Sequence, residues 1–344
     1  MKIIFVVDDN NISLIKAKMT LEKEYCVLTM SSAEKMFELL DKIMPDLILM
    51  DVEMPDMNGL EALVKLKASK HTENIPVMIL TGWTDEDFEV RGFKLGAVDF
   101  VSKPFSAPAL LNRVATHLNI NGLIKQRTQR VEQLQSAIIT VVSDMVESRD
   151  RLTGGHVDRT AKYVRLLIES MIAGGVYADE LSGWDIDTAV ASARLHDVGK
   201  IMITDLILNK PGKLTPEEFK EIMRHAEEGE KIIDRMIDKT GDDRFLSHAK
   251  FFAGCHHEYW DGHGYPRGLS GCGIPLQGRI MAVADVYDAL VSERSYKPSM
   301  PCEFAEEMIR NGSGVFFDPN IVNVFLSVKD AFRQIAEEPK AEQK

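Results

Sequence analysis

Five histidines and two aspartates in the C-terminal half of the chain are residue types that bind transition metals. The chain has nine histidines among its 344 residues, so more than half of them fall in this set. Two closely spaced divalent ions can activate a water molecule and hold a phosphodiester at the same time. The pattern predicts a two-metal phosphohydrolase site made of His156, His196, Asp197, His225, His256, His257 and Asp285.

Most of these side chains lie in segments whose pattern predicts amphipathic helices. His196 and Asp197 are expected on a helix from about Asp187 to Val198. Asp285 is expected on an apolar helix, where a carboxylate is costly unless it is paired, and Arg279 is the nearest cation along that helix. One histidine among apolar residues is more often a core residue than a ligand. Polar groups on several helices need a common partner, and imidazole with carboxylate suits Fe, Mn, Zn or Co better than Ca.

A second set of polar residues follows short β-rich segments in the first 118 residues. The predicted strands alternate with helical patterns and are Ile3–Val7, Tyr25–Thr29, Asp46–Met50, Val77–Leu80 and Val98–Val101. Such alternation predicts a parallel sheet, which binds ligands beyond the carboxyl ends of its strands. Clustered carboxylates at that edge predict Mg²⁺ and a carboxylate that can accept a phosphoryl group, although single acids are common in turns. The residues at the strand ends are Asp8, Asp9, Asp51, Thr81 and Lys103.

The composition limits the classes of function. A net charge of −12 would repel nucleic acid and acidic membranes, and no basic helix suggests DNA binding. The chain has no apolar run of about 18 residues that could span a bilayer. Four cysteines without a paired spacing fit a reducing compartment. We therefore expect a cytoplasmic protein that binds neither nucleic acid nor membrane.

The connector at residues 119–147 carries a heptad-like row of apolar residues. Two heptads are fewer than the three or four that usually define a coiled coil. The row is compatible with a dimerising signalling helix and also with an amphipathic helix packed on its own catalytic domain. Its members are Val131, Leu134, Ile138, Val141 and Met145.

Motifs in the N-terminal third resemble the receiver domain of bacterial response regulators. They are Asp8-Asp9, DVEMPDMNG from Asp51, LTG around Thr81 and SKPF around Lys103. The resemblance implies a flavodoxin-like α/β fold and a cognate histidine kinase. It implies that Asp51 is the phosphoacceptor, that Asp8 and Asp9 join Asp51 in binding Mg²⁺, that Thr81 is the switch hydroxyl and that Lys103 contacts the phosphate. Phe100 is either the aromatic residue that reorients on activation or a buried strand residue.

Motifs in the second half resemble the HD-GYP domain, a branch of the HD metal-dependent phosphohydrolases that degrades cyclic di-GMP. They are HDVGK from His196, KPGKLTPEEF from Lys210, HHEYWDGHGYPRGL from His256, GRIMAVADVYDAL from Arg279 and SERSYK from Ser292. The resemblance implies an all-α helical bundle. The expected organisation is a receiver domain at 1–118, a linker helix at 119–147, an HD-GYP domain at 148–337 and a disordered tail at 338–344.

The second resemblance also implies roles for single residues. One metal ion would be held by His156, His196, Asp197 and Asp285, and the other by His225, His256 and His257, with Asp197 bridging. Lys200 would lie near the scissile phosphate, Arg294 and Lys297 would bind substrate phosphate, and Tyr265 would border the guanine pocket. Leu152 stands where some members have a glutamate for a third metal, so we expect two ions, with Fe or Mn favoured. The alternatives are a catalytically weak cyclic-dinucleotide-binding scaffold, and a hydrolase of another nucleotide such as a hybrid cyclic dinucleotide or an alarmone.

Overall fold

The structure, a computed structural model, describes residues 1–82, 86–149, 155–241, 244–292 and 299–338. The chain divides into two compact units, Met1–Glu132 and Gln133–Lys344. Leu152, Arg294 and Lys297 lie outside the described residues, as does most of the predicted tail. No helix among the described residues combines the length and the apolar content needed to cross a bilayer.

The first unit is built on a parallel sheet of five strands in the order β2-β1-β3-β4-β5. The strands are β1 Ile3–Val7, β2 Cys26–Met30, β3 Leu47–Asp51, β4 Val77–Thr81 and β5 Asp99–Ser102. The strands β3 and β4 are buried along their whole length, as expected for a sheet covered on both faces. The predicted α/β flavodoxin-like fold is confirmed, with most strand bounds shifted by one residue.

Helices cover both faces of this sheet. They are α1 Asn11–Leu21, α2 Ala33–Leu40, α3 Gly59–Ala68, α4 Glu86–Lys94 and α5 Ala107–Arg149. The first three helices begin where Asn10, Ser32 and Asn58 accept backbone N–H groups of the first turn. One apolar core lies between the sheet and α2 with α3, and a second lies between the sheet and α1 with the start of α5.

The helix α5 contains the predicted connector. In the second unit, Ile139 and Val142 on one of its faces pack against the cluster around Leu195 and Ile233. The predicted apolar row lies on another face, where each of its five members is between 47% and 63% exposed. Packing on its own domain therefore uses different residues from the heptad-like row. The row itself remains exposed to solvent in the single chain.

The second unit is helical, as predicted. Its helices are α6 His156–Ala173, α7 Ala178–Leu181, α8 Ile186–Ala193, α9 Asp205–Leu208, α10 Pro216–Thr240, α11 Arg244–Cys255, α12 Leu276–Val291, α13 Cys302–Asn311, α14 Pro319–Ser327 and α15 Lys329–Glu337, with 3-10 turns at Val198–Met202 and Gly271–Gly273. Aromatic side chains join four of these helices. Tyr163 stacks on Phe332 with ring centroids 4.6 Å apart, and Tyr287 meets Phe325 at 5.5 Å. This core sets the positions of α6 and α12, which carry His156 and Asp285.

The predicted helix from about Asp187 to Val198 is wrong at its C-terminal end. Helix α8 stops at Ala193, and the chain continues through a turn in which His196 N–H donates to Ala193 O. Adjacent residues of a regular helix point about 100° apart. Leaving the helix before His196 allows the imidazole and the next carboxylate to face the same centre.

The close approach of Gly199 to α10 fixes this turn. A Cβ atom at Gly199 would lie 1.9 Å from His225 O and 2.5 Å from Gly229 N. Both are backbone atoms, so a side chain cannot be accommodated by a rotamer change. The glycine thus brings the turn that carries Asp197 next to the helix that carries His225.

We expect Gly199→Ala to lower the free energy of unfolding of the second unit by about 3 kcal/mol, because the methyl group must separate two backbones. Urea-induced unfolding followed by circular dichroism measures the change. Gly183→Ala is the matched control, since a Cβ there meets nothing within 4 Å, and it should shift stability by less than about 1 kcal/mol. Equal stability of the two variants would contradict the packing argument.

Candidate metal centre

The second unit contains two groups of three side chains that could bind metal. Within each group, the ligand atoms lie within 4.8 Å of one another. His156 opens α6, Asp285 lies within α12, and His256 and His257 directly follow α11. Five separate segments therefore contribute to the centre. One group is His225, His256 and His257, and the other is His156, His196 and Asp285.

Asp197 lies between the two groups, and its two oxygens face different ones. Its Oδ2 is 3.5 Å from His196 Nε2. Its Oδ1 is 3.5 Å from His225 Nε2 and 3.8 Å from His256 Nε2. A carboxylate placed in this way can serve one ion with each oxygen. Lys200 Nζ also lies 2.7 Å from Asp197 Oδ2, so an ammonium borders the same centre.

The hydrogen bonds of three imidazoles define which nitrogen faces the centre. The Nδ1 atoms of His196, His225 and His256 lie 2.7 to 3.0 Å from the carbonyls of Ala193, Ile222 and Phe252. A carbonyl only accepts, so each Nδ1 carries the proton and donates it. The Nε2 lone pair of each ring is left for the centre, which is the arrangement typical of metal-binding histidines.

Two features of these Nε2 atoms fit a bound cation. His196 Nε2 is buried without a hydrogen-bond partner in the described part of the chain. His225 Nε2 and His256 Nε2 face each other at 3.2 Å, although their Nδ1 hydrogen bonds leave neither with a proton to share. Bound cations would give the Nε2 lone pairs of all three histidines a partner. Neighbouring Cys255 belongs to neither group: its Sγ accepts a hydrogen bond from Arg267 at 3.0 Å, and burial raises the pKa of its thiol to about 12.

His156 is held by a buried carboxylate that sequence analysis did not single out. Its Nδ1 lies 2.7 Å from Asp288 Oδ2, and its Nε2 lies 3.5 Å from Asp285 Oδ1. Arg159 donates to both oxygens of Asp288 at 2.7 and 2.9 Å. Burial lowers the pKa of His156, but the hydrogen bond and the charge of Asp288 outweigh it, so that pKa is raised. Asp288 lies three residues after Asp285, a helical spacing that could have indicated it.

The remaining imidazoles are neutral near pH 7. Burial lowers the pKa of His225 to about 4, and burial with the charge of His196 lowers that of His256 to about 4. Burial also lowers the pKa of His196 and places that of His257 well below its usual range. Burial alone would raise the pKa of Asp197, but Lys200 and the surrounding imidazoles place it well below the ordinary value. These four histidines are therefore neutral and Asp197 is ionised, which are the protonation states that bind metal ions.

These shifts predict a pH dependence for the metal-free protein. The unfolded state takes up protons on histidine below about pH 6.5, whereas the folded state keeps His225 and His256 neutral down to about pH 4. The contribution of these two histidines to the free energy of unfolding is therefore fully present above about pH 6.5 and is lost as the pH drops toward 4. From about pH 7.5 to about pH 5 we expect a loss of about 2 kcal/mol for each of these two imidazoles, partly offset by His156.

Urea unfolding in EDTA at several pH values measures this loss. His225→Gln should remove part of the pH dependence. His263→Gln should leave it unchanged, because the His263 side chain is 85% exposed. An unfolding free energy that is constant over this pH interval would contradict the proposed neutral state of the buried imidazoles.

The Gly-Tyr-Pro loop borders the group of three histidines. The Tyr265 ring lies 4.7 Å from that of His257 at an angle of 30°, and Tyr265 N–H donates to His257 O at 3.1 Å. The buried carboxylate of Glu258 accepts from the N–H groups of Arg267 and Leu269 at 2.8 and 2.9 Å and shapes the loop. Sequence analysis missed this role, although Glu258 directly follows the two histidines.

A Cβ atom at Gly264 would lie 2.2 Å from Tyr259 N, so this position requires glycine. Gly264 therefore allows the loop to pack closely against the backbone of Glu258 and Tyr259. Arg279, considered above as the partner of Asp285, instead contacts Asp318 at 3.1 Å and Glu180 at 2.8 Å. Arg279 therefore anchors α12 and leaves Asp285 to the centre.

The receiver residues meet at the carboxyl edge of the sheet. Asp8, Asp9 and Asp51 form a third group with ligand atoms within 4.8 Å. Lys103 Nζ lies 2.7 Å from both Asp8 Oδ2 and Asp51 Oδ1. Burial raises the pKa of Asp51, with the charge of Asp8 adding to the effect and Lys103 opposing it. Thr81 ends β4 and is buried.

Phe100 is a buried residue of β5 in this structure. It packs edge-on against Phe93 with ring centroids 4.8 Å apart, and a Cβ on Gly92 would lie 2.3 Å from its ring. The structure thus shows Phe100 as a buried strand residue. Its reorientation on activation stays a prediction.

Comparisons with known proteins identify both halves. The family described as "Response regulator receiver domain" matches residues 4–115, and the family described as "HD domain" matches residues 140–321. A Vibrio cholerae protein named "Probable cyclic di-GMP phosphodiesterase" is 40% identical over 97% of this chain and 79% of its own length. The "Cyclic di-GMP phosphodiesterase response regulator RpfG" of Xanthomonas campestris is 34% identical over 84% of this chain and 77% of its own.

A further Vibrio cholerae relative is named "3'3'-cGAMP-specific phosphodiesterase 2". It is 38% identical over 63% of this chain, which covers 38% of that protein. The matches to both domains, and the high coverage of the first two relatives, decide the family. This chain belongs to the cyclic di-GMP phosphodiesterase response regulators, in which a receiver domain is joined to an HD domain.

Proposed function

We propose that this protein hydrolyses cyclic di-GMP to linear pGpG under the control of receiver phosphorylation, with GMP as the product of any second round of hydrolysis. The observation that carries the proposal is Asp197, whose two oxygens face two separate groups of imidazole and carboxylate ligands. Two divalent ions held there would activate water and polarise the phosphodiester. The nitrogen and oxygen donors favour Fe or Mn.

The side chains around the centre are proposed to have different roles. His156, His196 and Asp285 would hold one ion, and the three-histidine group the other, with Asp197 shared. Lys200, through its ammonium group, would stabilise negative charge that develops on the phosphate oxygens. Tyr265 presents its ring beside His257, where a guanine base can stack. Arg294 and Lys297 are proposed to bind substrate phosphate.

Control by phosphorylation is proposed from the receiver site. Asp51 ends a buried strand beside Asp8 and Asp9, which supports a Mg²⁺ ion and phosphotransfer from a cognate histidine kinase. Lys103, already within 2.7 Å of Asp51, would contact the new phosphate. All four cysteines are free thiols, which supports a cytoplasmic location.

A homodimer through α5 is proposed from the exposed apolar row. Its 3-4-3-4 spacing is that of a coiled-coil seam, and a second copy of the same helix has the matching surface. Sedimentation velocity at rising protein concentration tests this, and a constant monomer would refute it.

The function is tested on protein purified without oxygen and analysed for bound metal. Cyclic di-GMP, pGpG and 3'3'-cGAMP are incubated with it, with and without beryllofluoride as an acyl-phosphate mimic, and products are separated by chromatography. We expect cyclic di-GMP to be cleaved faster than 3'3'-cGAMP. The reverse preference would favour the hybrid dinucleotide, a substrate class that the third relative makes a specific second candidate. Binding without turnover in metal-loaded protein would favour the scaffold.

A further inference from the structure

Glu147, close to the end of α5, contacts the backbone of a segment that carries a proposed metal ligand. Its Oε1 accepts a hydrogen bond from His156 N–H at 2.8 Å. His156 is the first residue of α6, and the preceding Gly155 has a φ of 95° and no side chain that could cap the helix. The first N–H groups of a helix need acceptors from outside it. Glu147 therefore does from another helix what a capping residue normally does locally.

The same end of α5 is also hydrogen-bonded to a second segment of the centre. Ser143 Oγ donates to Arg194 O at 3.0 Å, two residues before His196. Arg149 donates to Ile201 O at 2.9 Å and to Ile203 O at 3.0 Å, directly after Lys200. Two turns of α5 thus reach the backbone on both sides of the segment that carries His196, Asp197 and Lys200.

The Glu147 side chain lines a small cavity beside the metal centre, so its length affects the packing of the first turn of α6. A cavity of about 10 Å³, the size of one water molecule, is lined by Glu147, His156, Asp197 and Lys200, among others. Removal of the Glu147 side chain would enlarge this cavity and free the first turn of α6. The first turn carries His156, so its imidazole could then move away from His196 and Asp285.

We propose that Glu147 is a positioning residue for His156 and that α5 acts on the metal centre through this contact. The inference rests on the proposed metal-binding role of His156. It concerns one hydrogen bond between the Glu147 carboxylate and a backbone N–H. It gives the linker helix a defined point of action on one of the two ligand groups.

Titration of metal-free protein with Mn²⁺, followed by electron paramagnetic resonance, tests the proposal without substrate. We expect two sites in the wild type, and in Glu147→Ala a loss of affinity of about 10- to 100-fold at one of them. Glu147→Gln keeps an acceptor oxygen at the same reach and should bind Mn²⁺ nearly as the wild type does. Glu147→Asp keeps the charge but is shorter, so it should resemble Glu147→Ala. Asp144→Ala removes an exposed acid three residues earlier on the helix and should have no effect.

Several outcomes separate positioning from general stability. In a His156→Ala background, Glu147→Ala should cause no further loss of Mn²⁺ affinity, because its effect passes through His156. Wild-type affinity in Glu147→Ala overturns the proposal. So does wild-type affinity in Glu147→Asp together with a loss in Glu147→Gln, since charge rather than reach would then matter. If Glu147→Ala does not fold, the Gln and Asp variants still decide between these outcomes.

The titration also distinguishes failure here from failure of the proposed function. Wild-type protein that binds two Mn²⁺ ions but cleaves no cyclic dinucleotide would contradict the proposed reaction and leave the role of Glu147 testable. Wild-type protein that cleaves cyclic di-GMP while Glu147→Ala keeps full Mn²⁺ affinity would contradict only the inference about Glu147.

Discussion

Asp197→Asn is expected to lower the kcat for cyclic di-GMP hydrolysis by about 10³-fold or more. The carboxylate is the group whose oxygens face both ligand groups at 3.5 Å, and an amide supplies only one neutral oxygen to them. The substitution also removes a charged partner of Lys200. Steady-state kinetics together with elemental analysis of the purified variant measure both turnover and metal content.

The control for this variant is Asp187→Asn, which makes the same chemical change at a side chain that is 84% exposed. It should keep turnover and metal content. Turnover of Asp197→Asn within a few-fold of the wild type, in protein shown to hold two ions, would remove the basis for a shared carboxylate. A variant without metal would show that Asp197 is first needed for binding.

Asp51→Asn is expected to abolish phosphorylation of the receiver completely, because an amide cannot attack a phosphoryl group to form an acyl phosphate. Labelled acetyl phosphate followed by gel separation detects the modification. The rate of cyclic di-GMP hydrolysis by this variant should also be the same with and without beryllofluoride. The sign of the wild-type response, an increase or a decrease, is read from the same assay.

Asp56→Asn is the matched control for the receiver. Asp56 is exposed and has a φ of 69°, a backbone conformation that asparagine adopts readily. It should be phosphorylated like the wild type. Incorporation of label into Asp51→Asn at the wild-type level would place the phosphoacceptor elsewhere.

Sequence patterns predicted most of the receiver because local and global signals agree there. Apolar runs such as Val77–Leu80 become buried strands, and capping residues such as Asn58 mark where helices begin. The acids at the strand ends meet because parallel strands share one carboxyl edge. In the second unit, the candidate ligands were predicted because polar groups on several apolar helices need a common partner.

The parts that sequence missed depend on packing between distant segments. Helix α8 ends at Ala193, and the turn after it brings Gly199 into close contact with α10, a contact that no local propensity reveals. Asp288, Glu258 and Glu147 act on backbone atoms or on another side chain of the centre, so their residue types alone did not distinguish them from surface acids.

The division of ligands between the two groups has an electrostatic consequence. Two divalent ions would carry four positive charges, and the carboxylates of Asp197 and Asp285 would cancel two of them, because an imidazole that binds an ion is neutral. Two uncompensated positive charges would remain on the ions, with the Lys200 ammonium beside them, and cyclic di-GMP carries one negative charge on each of its two phosphates. In a chain of net charge −12, this pocket would attract an anion that the rest of the surface repels. After chelation, the two carboxylates would stand beside the ammonium of Lys200, and the pocket would lose most of its attraction for that anion.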